Sequence, residues 1–490
     1  MTSIEKWLVN LNSNMALNPR FIEYFQTTFF SDKPEELRAF LASLEQWIPR
    51  TIRIKPGQEI AVKKRLEAYG FILRDTYIEN VFALDRALDF DPLERRIGYT
   101  TDHLVGNFYI QELAAATAVE VLSNPKFAQI QRDLHAEWVP EWVVSQNTMN
   151  EDTEREMQRS SISENFVILD MAASPGGKTT QLSEMYPLSF IVANEPTRER
   201  IPQLLQNLDR MGSTNIGVTL YPGQYFRHTP ETFDRILLDA PCSGEGTLYK
   251  GTDATKHWHI KNIKTIARLQ EKLLDAAIIA LKVWWEMVYS TCSMNLIENE
   301  WILEAIQKKY PGAFDIMYQK HFWPHIDHTG GFFVAKIRKL EHIDIEESTR
   351  NVSINSDIKT YKWHTLGAKI HDDITLYEHT GKILAIKKHP HIHELLKKYY
   401  FMRLGERIAM IENGEVRFDP FALRYIDTAD LPRYELRDEI ELDRYLRGEL
   451  LETNGSDSTV IVRYNGVDIA LEEISDTILS NQFPHDWRRK

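Results

Sequence analysis

From residue 166 onward the chain alternates short apolar segments with longer segments of helical period. The apolar segments have the length of strands and are nearly continuous, which is typical of parallel strands buried on both faces. They are VILDMAAS (167–174), SFIVANE (189–195), IGVTLY (216–221), RILLDAP (235–241) and VWWEMVYST (283–291). This alternation predicts an α/β fold with a doubly wound parallel sheet.

Two regions of different character flank this central part. Residues 1–100 are predicted to form a small α+β subdomain, with strands at 51–55 and 71–75 around a helix at 58–69. An acidic, polar linker precedes a C-terminal region of short strand-like segments and a few helices. The predicted domains are 1–100, 101–341 with a mobile insertion at 144–165, and 359–490 after a linker at 342–358.

Length and composition set further limits. A chain of 490 residues is too long for one hydrophobic core, so two or three domains are expected. No segment approaches the roughly 18 to 20 apolar residues of a membrane span, and the N-terminal residues lack the pattern of a signal peptide. The sequence therefore predicts a cytoplasmic protein with no membrane partner.

Two basic clusters are the candidates for contacts with nucleic acid. The first includes Arg53 and Lys55 and continues with Lys63, Lys64 and Arg65, and the second includes Lys387 and Lys388. Affinity for nucleic acid depends on local positive charge more than on the total, so the net charge of −13 argues only mildly against such a partner. A solvated helix or strand face is the alternative interpretation of each cluster.

Residues 170–180, DMAASPGGKTT, follow a predicted strand and open a helix. Ligands of open α/β sheets bind at such strand ends, where the carboxylate of Glu195 can accept hydrogen bonds from ribose hydroxyls. The glycine pattern differs from those of NAD- and ATP-binding loops. A helix cap and a solvated carboxylate are the alternatives for Asp170 and Glu195. The candidate cofactor-binding residues are Ala172, Ala173, Ser174, Pro175, Gly176, Gly177, Lys178, Glu195, Arg200, Gln224 and Asp239.

The chain has only two cysteines, Cys242 and Cys292. This number excludes a disulfide framework and a cysteine-based zinc site, and no metal is predicted. Each thiol follows a predicted strand, so both are expected at the edge of the sheet that carries the cofactor loop, together with Asp239 and Lys178. Two unrelated buried thiols are the alternative.

Three motifs together resemble the Fmu/Sun family of RNA cytosine-5 methyltransferases. They are DMAASPGGKTT, DAPCSGEGT (239–247), and STC (290–292) with the downstream Glu298-Asn299-Glu300. The resemblance implies a Rossmann-like methyltransferase sheet and S-adenosylmethionine as cofactor. It implies that Cys292 is the nucleophile and that Cys242 assists release of the product. Asp239 would contact the cytosine and Glu195 the ribose of the cofactor, with Lys178 near the reaction centre.

The chemistry explains why such an enzyme uses a thiol. Carbon 5 of cytosine is a poor nucleophile, and a thiolate that adds to carbon 6 makes the ring an enamine-like species able to attack a methyl sulfonium. Nitrogen 3 of the ring must then take a proton or a strong hydrogen bond, and Asp239 is placed for that if its carboxyl is protonated. Lys178 could lower the pKa of a thiol, hold Asp239 in place or only bind cofactor.

The C-terminal region resembles the PUA-like mixed α/β barrel of a ribosomal small-subunit enzyme of this family. The matching segments are ALRYIDTADLPRYELRDEIELDRYLRGELL and NQFPHDWRR. The resemblance implies a cytosine of 16S ribosomal RNA, alone or in the small subunit, as substrate, and we expect a monomer. One departure concerns adenine recognition: Pro222 stands where the family commonly has Asp, so Gln224 or the backbone would have to read the adenine.

Three alternatives remain open from the sequence. A transfer RNA could replace ribosomal RNA as the substrate of the same chemistry. A non-catalytic RNA-binding or ribosome assembly factor could keep the fold, since the adenine-binding Asp is absent and the net charge is negative. A DNA cytosine methyltransferase would use Cys242, which follows Pro241, as its nucleophile.

Overall fold

A computed structural model describes residues 17–44, 46, 48–86, 97–124, 127, 165–251, 258–345, 358–361 and 369–483. The predicted insertion at 144–165, apart from its last residue, lies outside the described residues. So does most of the predicted linker at 342–358.

In the described residues of the N-terminal part, three helices accompany an antiparallel sheet of order β2-β3-β1-β4. Its elements are α1 (Pro19–Thr28), α2 (Pro34–Ser43), β1 (Arg50–Ile54), α3 (Glu59–Ala68), β2 (Phe71–Asp75), β3 (Val81–Arg86) and β4 (Phe108–Ile110). The predicted strands and the helix between them are confirmed as β1, β2 and α3. β3 and β4 were not predicted, and β4 joins this sheet from beyond residue 100.

The helices α1 and α2 do not pack on this small sheet. Their aromatic side chains belong to the core of the central sheet, where Phe21 meets Trp258 with ring centroids 5.7 Å apart and Phe40 meets Trp323 at 5.6 Å. Two short helices, α4 (Thr101–Leu104) and α5 (Leu113–Ser123), then lead into the central part.

The central sheet has eight strands in the order β10-β11-β9-β8-β5-β6-β7-β15. They are β5 (Val167–Asp170), β6 (Phe190–Asn194), β7 (Ile216–Thr219), β8 (Phe233–Asp239), β9 (Leu281–Thr291), β10 (Phe314–Phe322), β11 (Phe332–Lys339) and, from the C-terminal part, β15 (Arg403–Leu404). β5 to β9 run parallel, whereas β11 is antiparallel to β9. The predicted doubly wound parallel sheet is confirmed.

Helices cover both faces of this sheet. They are α6 (Gly177–Met185), α7 (Ile201–Met211), α8 (Ile260–Ala280), α9 (Glu300–Lys309) and the short α10 (Pro324–Asp327). Successive side chains of β5 alternate between the two cores: Leu169 packs in the core that includes α8, and Ile168 in the core that includes α6. Burial on both faces explains why the strands read as continuous apolar runs.

From residue 358 onward, the residues that the structure describes form two five-stranded sheets and two helices, which is consistent with the predicted PUA-like domain. The first sheet has the order β12-β13-β14-β16-β17 and the second β18-β20-β21-β22-β19. The elements are β12 (Lys359–Thr360), β13 (Ile374–His379), β14 (Lys382–Lys387), α11 (Ile392–Lys398), β16 (Glu406–Glu412), β17 (Glu415–Phe418), β18 (Arg433–Glu435), α12 (Glu439–Leu446), β19 (Leu451–Glu452), β20 (Ser458–Tyr464), β21 (Val467–Ser475) and β22 (Ile478–Leu479).

Strand β15 joins the C-terminal part to the central sheet, because it pairs antiparallel with β7 through Arg403 and Leu404. An ion pair of Arg403 with Asp209 of α7 lies beside this junction. None of the helices among the described residues combines the length and the apolar character that crossing a bilayer requires.

Candidate active site

The candidate site lies along the edge of the central sheet where the parallel strands end. β6 lies on one side of β5 and β8 on the other, so the chain reverses its direction of winding between β5 and β8. Such a switch point opens a crevice at the carboxyl ends of the strands, where ligands bind in this class of fold. The segments after β5, β6, β8 and β9 carry the predicted residues of the cofactor loop, Glu195, Asp239 and Cys292.

The cofactor loop, residues 171–176, is held by hydrogen bonds from its surroundings. The amide of Ala173 donates to the carbonyl of Asn194 at 2.8 Å. Arg200 donates to the carbonyl of Ser174 at 2.6 Å, and the Ser174 hydroxyl donates back to the carbonyl of Arg200 at 3.1 Å. Arg200, one of the predicted cofactor-binding residues, therefore contacts the cofactor loop and helps to hold its conformation.

Helix α6 begins directly after this loop, and its N terminus has no side-chain cap. Gly176, the residue before the helix, has φ +105°, which favours glycine. A Cβ added to Gly177 would come within 3.1 Å of the Tyr109 ring. The first amides of an uncapped helix carry partial positive charge and lack intrahelical partners, so this N terminus suits a carboxylate group of a ligand.

Glu195 follows β6 and is 1% exposed. Its carboxylate accepts hydrogen bonds from the amides of Thr197 at 2.9 Å and Ser174 at 3.3 Å, and Arg200 lies 3.4 Å away. These contacts fix the carboxylate at the sheet edge. Each carboxylate oxygen has a further lone pair that can accept a ribose hydroxyl.

Pro222 and Gln224 lie at the same edge, after β7. Pro222 precedes a 3-10 turn at Gly223–His228, in which Gln224 is half-buried. The structure therefore places Gln224 beside the cofactor edge, in a turn whose close packing depends on Gly223: a Cβ there would come within 2.4 Å of Leu273.

The two thiols are in direct contact, with the Sγ atoms of Cys242 and Cys292 2.9 Å apart. The contact follows from strand pairing, because β8 and β9 are parallel neighbours with Asp239 opposite Ser290. The hydrogen bond with Cys292, followed by burial, raises the pKa of the Cys242 thiol well above its usual range. The Cys242 thiol therefore keeps its proton over a wider pH range than a free cysteine.

Lys178 lies beside the thiol pair and forms an ion pair with Asp239 at 2.7 Å. The second carboxylate oxygen of Asp239 accepts from the Ser290 hydroxyl at 2.8 Å. Burial lowers the pKa of Lys178, but the nearby Asp239 outweighs it and the pKa is raised overall. Lys178 therefore stays an ammonium group, and it also interacts electrostatically with Cys292.

Several polar residues of the site escaped sequence reasoning. Glu298 was noted only as part of a motif. Its carboxylate lies behind the two loops that carry the thiols, residues 240–244 with Cys242 and residues 292–295 with Cys292, which we call the cysteine loops. It is hydrogen-bonded to residues of each loop. Its partners Ser243, Ser293 and Asn295 were not singled out. Their adjacency to the two cysteines was the one available indication.

The prediction that Arg53 contacts RNA is wrong. Arg53 is 3% exposed and pairs with Glu184 at 2.8 Å. It also donates to the carbonyl of Gly177 at 2.9 Å and to the hydroxyl of Thr180 at 2.9 Å. Its guanidinium group therefore ties β1 to the start of α6 and is not available to a partner.

The other three basic candidates lie at cavities outside the sheet edge. Lys55 lines a cavity of about 460 Å³. Lys387 and Lys388 line a second cavity of about 450 Å³. Lys387 lies 3.5 Å from Asp373, and Lys388 donates a hydrogen bond to the carbonyl of Asp372.

The doubly wound sheet, the uncapped helix after β5 and the buried carboxylate after β6 fit S-adenosylmethionine. Amides at the start of α6 suit its carboxylate, and Glu195 suits its ribose hydroxyls. The fold and this site define a methyltransferase that uses S-adenosylmethionine as methyl donor.

The comparison with known families agrees with this class. Residues 160–338 match the family described as 16S rRNA methyltransferase RsmB/F.

Similar proteins extend the match over more of the chain. A protein of Aeromonas hydrophila called ribosomal RNA small subunit methyltransferase F is 35% identical over 321 residues, which is 61% of this chain and 60% of that protein. A protein of the same name from Klebsiella pneumoniae is 29% identical over 484 residues, 92% of each chain.

Two solved structures share the fold. A methyltransferase homologue from Pyrococcus horikoshii has a TM-score of 0.53 at 24% identity, and the match covers 69% of this chain and all of that one (100%). The structure of NSun6 from the same organism has a TM-score of 0.52 at 19% identity, covering 66% of this chain and 98% of the other.

Proposed function

We propose that this protein methylates carbon 5 of a cytosine in 16S ribosomal RNA through a covalent bond between Cys292 and carbon 6. The observation that carries the proposal is the contact of two thiols, 2.9 Å apart, beside the Lys178–Asp239 ion pair at the cofactor edge. The names of the Aeromonas and Klebsiella relatives support ribosomal RNA as the substrate. The aligned region spans only 60% of the Aeromonas relative, so the substrate is part of the proposal.

Cys292 is the nucleophile in this proposal, and Cys242 holds a proton. The Cys292 thiolate adds to carbon 6, and the neighbouring Cys242 thiol donates a hydrogen bond to that sulfur before and after the addition. The ammonium group of Lys178 favours the thiolate form of Cys292 electrostatically. Cys242 is assigned the role of proton donor, because its pKa is raised and it holds its proton more tightly than a free cysteine.

The Lys178–Asp239 pair serves the other side of the base. When the thiolate adds, negative charge moves to nitrogen 3 of the cytosine, and a proton donor there stabilises it. Asp239 is oriented by Lys178 and Ser290. A proton relayed through this pair can neutralise the ring.

S-adenosylmethionine supplies the electrophilic methyl group when it is bound. Residues 172–178, Glu195 and Gln224 would hold it against the thiol site. The carbon 5 proton then leaves to a base or to water, the double bond between carbons 5 and 6 forms again, and the bond from carbon 6 to Cys292 breaks. The Cys242 thiol assists this last step by donating its proton to the departing thiolate.

Substrate RNA is assigned to the surfaces that flank the sheet. We assign the N-terminal subdomain and the PUA-like domain as its binding regions, with Lys55, Lys387 and Lys388 as contacts. The Lys55 ammonium has no ion-pair partner among the described residues, and its cavity is also lined by Arg65 and Arg424. An unpaired cation at a cavity between two parts of the chain suits a phosphate group.

The test is methyl transfer from labelled S-adenosylmethionine to three RNAs side by side: naked 16S ribosomal RNA, assembled small subunits and transfer RNA. Nucleosides from the labelled RNA are then separated, and 5-methylcytidine is expected from one of the ribosomal substrates. Label only in transfer RNA would change the substrate and keep the chemistry. No label in any RNA, together with no cofactor binding by calorimetry, would favour a non-catalytic RNA-binding factor.

A further inference from the structure

Glu298 is a fully buried carboxylate, 0% exposed, that accepts five hydrogen bonds. One oxygen accepts from the amide of Ser243 at 2.9 Å and from Gln270 at 3.0 Å. The other accepts from the hydroxyls of Ser243 at 2.6 Å and Ser293 at 2.8 Å, and from Asn295 at 2.7 Å. No cation lies within 4.0 Å of it among the described residues, so the donors alone compensate its burial.

Four of these five hydrogen bonds come from the two cysteine loops, and the fifth comes from Gln270 of α8. Ser243 is the residue after Cys242, and Ser293 is the residue after Cys292. The carbonyl of Glu298 also accepts from Tyr289 of β9 at 2.5 Å. One side chain thus connects the two loops directly behind the thiols, which places both sulfurs at a set separation.

The charge of this carboxylate also acts on one thiol of the pair. The groups that raise the pKa of Cys242 are its hydrogen bond to Cys292, burial, and the charges of Cys292, Glu298 and Asp239. Tyr289 is a further titratable neighbour. Lys178, the nearby cation, interacts with Cys292. The negative charge of Glu298 therefore favours the protonated form of Cys242, and the positive charge of Lys178 favours negative charge on Cys292.

We propose that Glu298 is a positioning residue that clamps the two cysteine loops and keeps the thiol proton on Cys242, so that Cys292 is the sulfur free to attack. This inference rests on the cysteine roles of the proposed function and names the group that assigns those roles. It requires no contact between Glu298 and RNA or cofactor.

Glu245 offers a matched control, because it is as buried as Glu298 and shares two of its donors. It accepts from Asn295 at 2.8 Å, from Ser293 at 3.1 Å and from Trp258 at 2.6 Å. Burial and the charge of Glu298 raise its own pKa. It is not among the five largest causes of the raised pKa of Cys242, whereas Glu298 is.

The first experiment measures thiol reactivity in the free protein, without RNA. The chain has only two cysteines, so Cys292→Ser leaves Cys242 as the single thiol. Its alkylation by iodoacetamide is followed against pH with and without Glu298→Gln or Glu245→Gln, and each variant is checked for folding by its melting temperature. We expect Glu298→Gln to lower the midpoint for Cys242 by about one pH unit, and Glu245→Gln to leave it in place.

If the alkylation midpoint of Cys242 shifts equally in Glu298→Gln and Glu245→Gln, or in neither, the proposed effect of the Glu298 charge on Cys242 is wrong. Alkylation needs no substrate, so its outcome does not depend on the proposed function. If the alkylation midpoint shifts as expected but the wild-type protein transfers no methyl group, the proposed function is rejected and the effect of the Glu298 charge on Cys242 stands.

A second measurement tests the clamp and does not depend on the folding of Glu298→Gln. Ser243→Ala keeps the charge and removes one hydrogen bond to Glu298. The oxidant diamide converts the two thiols to a disulfide, at a rate that depends on their alignment. We expect coupling to slow several-fold in Ser243→Ala and to stay at the wild-type rate in Thr247→Ala, whose hydroxyl bonds within the same loop to the carbonyl of Gly244. Unchanged coupling in Ser243→Ala would rule out the clamp.

Discussion

The Sγ atoms of Cys242 and Cys292 lie 2.9 Å apart, although 50 residues separate them along the chain. The contact exists because two parallel neighbouring strands end at the same edge of the sheet. When one thiol of such a pair loses its proton, the remaining proton can bridge the two sulfurs, and the surrounding charges favour one of them. The division of roles between the cysteines is therefore open to direct tests.

Replacing each cysteine should give opposite results with RNA and labelled S-adenosylmethionine. Cys292→Ala should abolish turnover, because no nucleophile remains to activate the base. Cys242→Ala should accumulate a protein–RNA adduct on a denaturing gel, because the departing thiolate loses its proton donor. The double variant should show no adduct. An adduct in Cys292→Ala instead would assign Cys242 as the nucleophile.

Lys178→Met should lower kcat by about a hundredfold to ten-thousandfold, the usual contribution of a positioned proton donor. The change removes the ammonium group next to Cys292 and leaves Asp239 without its ion-pair partner. Cofactor affinity, measured by calorimetry, should change far less than kcat. If both fall by the same factor, Lys178 only binds the cofactor.

Arg53→Ala should destabilise the protein by about 3 kcal/mol, since it leaves the carboxylate of Glu184, whose side chain is 12% exposed, without its partner. The measurement is the urea midpoint. The exposed Lys64 of α3 provides the control, and Lys64→Ala should change stability by less than about 0.5 kcal/mol. Unchanged stability with weaker RNA binding in Arg53→Ala would restore the role predicted from the sequence.

Stability should fall as the pH rises from about 4.5 to about 7, in part because of Glu472. Burial raises the pKa of this carboxyl to about 7. In this window the unfolded chain has released the proton that the folded protein retains, so a rise in pH favours unfolding by at most about 1.4 kcal/mol per pH unit. Glu472→Gln should show a smaller loss in urea midpoint between about pH 5 and about pH 7.5. An unchanged loss would mean that Glu472 titrates normally.

Lys55→Met should weaken RNA binding and reduce the slope of log affinity against log salt by about one, as expected for one lost phosphate contact. Burial, followed by the charge of Arg424, lowers the pKa of Lys55 to about 8. The charged form is therefore lost as the pH rises through about 8, and wild-type affinity should fall there more steeply than that of the variant. Lys64→Met is the control. If both changes weaken RNA binding equally, Lys55 contributes no more to that binding than an exposed lysine outside the cavity.

Much of the central part was predictable because local pattern and tertiary role agree there. Strands β5, β6 and β7 are buried on both faces, so they appear in the sequence as apolar runs. The residues that follow these strands must meet at one edge, which is why Glu195, Asp239 and Cys292 could be placed together before any coordinates were known.

The first two helices, α1 and α2, make contacts that these sequence patterns do not predict. The aromatic residues of α1 and α2 pack on Trp258 and Trp323, more than 200 positions away in the chain. The sequence carries no sign of that distant partner. The same holds for β15, a two-residue strand that extends the central sheet from the C-terminal part.

Sequence alone determined the fold class, the edge of the sheet that carries the site and the pair of thiols, since these depend on periodicity and on which residues follow each strand. Tertiary structure alone decided that Arg53 is a buried structural cation, through Glu184 at a separation of 131 residues. It also decided that Glu298 lies behind both cysteine loops. The physical reason is that the burial and charge around a polar side chain depend on its partners in space, and here those partners come from distant segments of the chain.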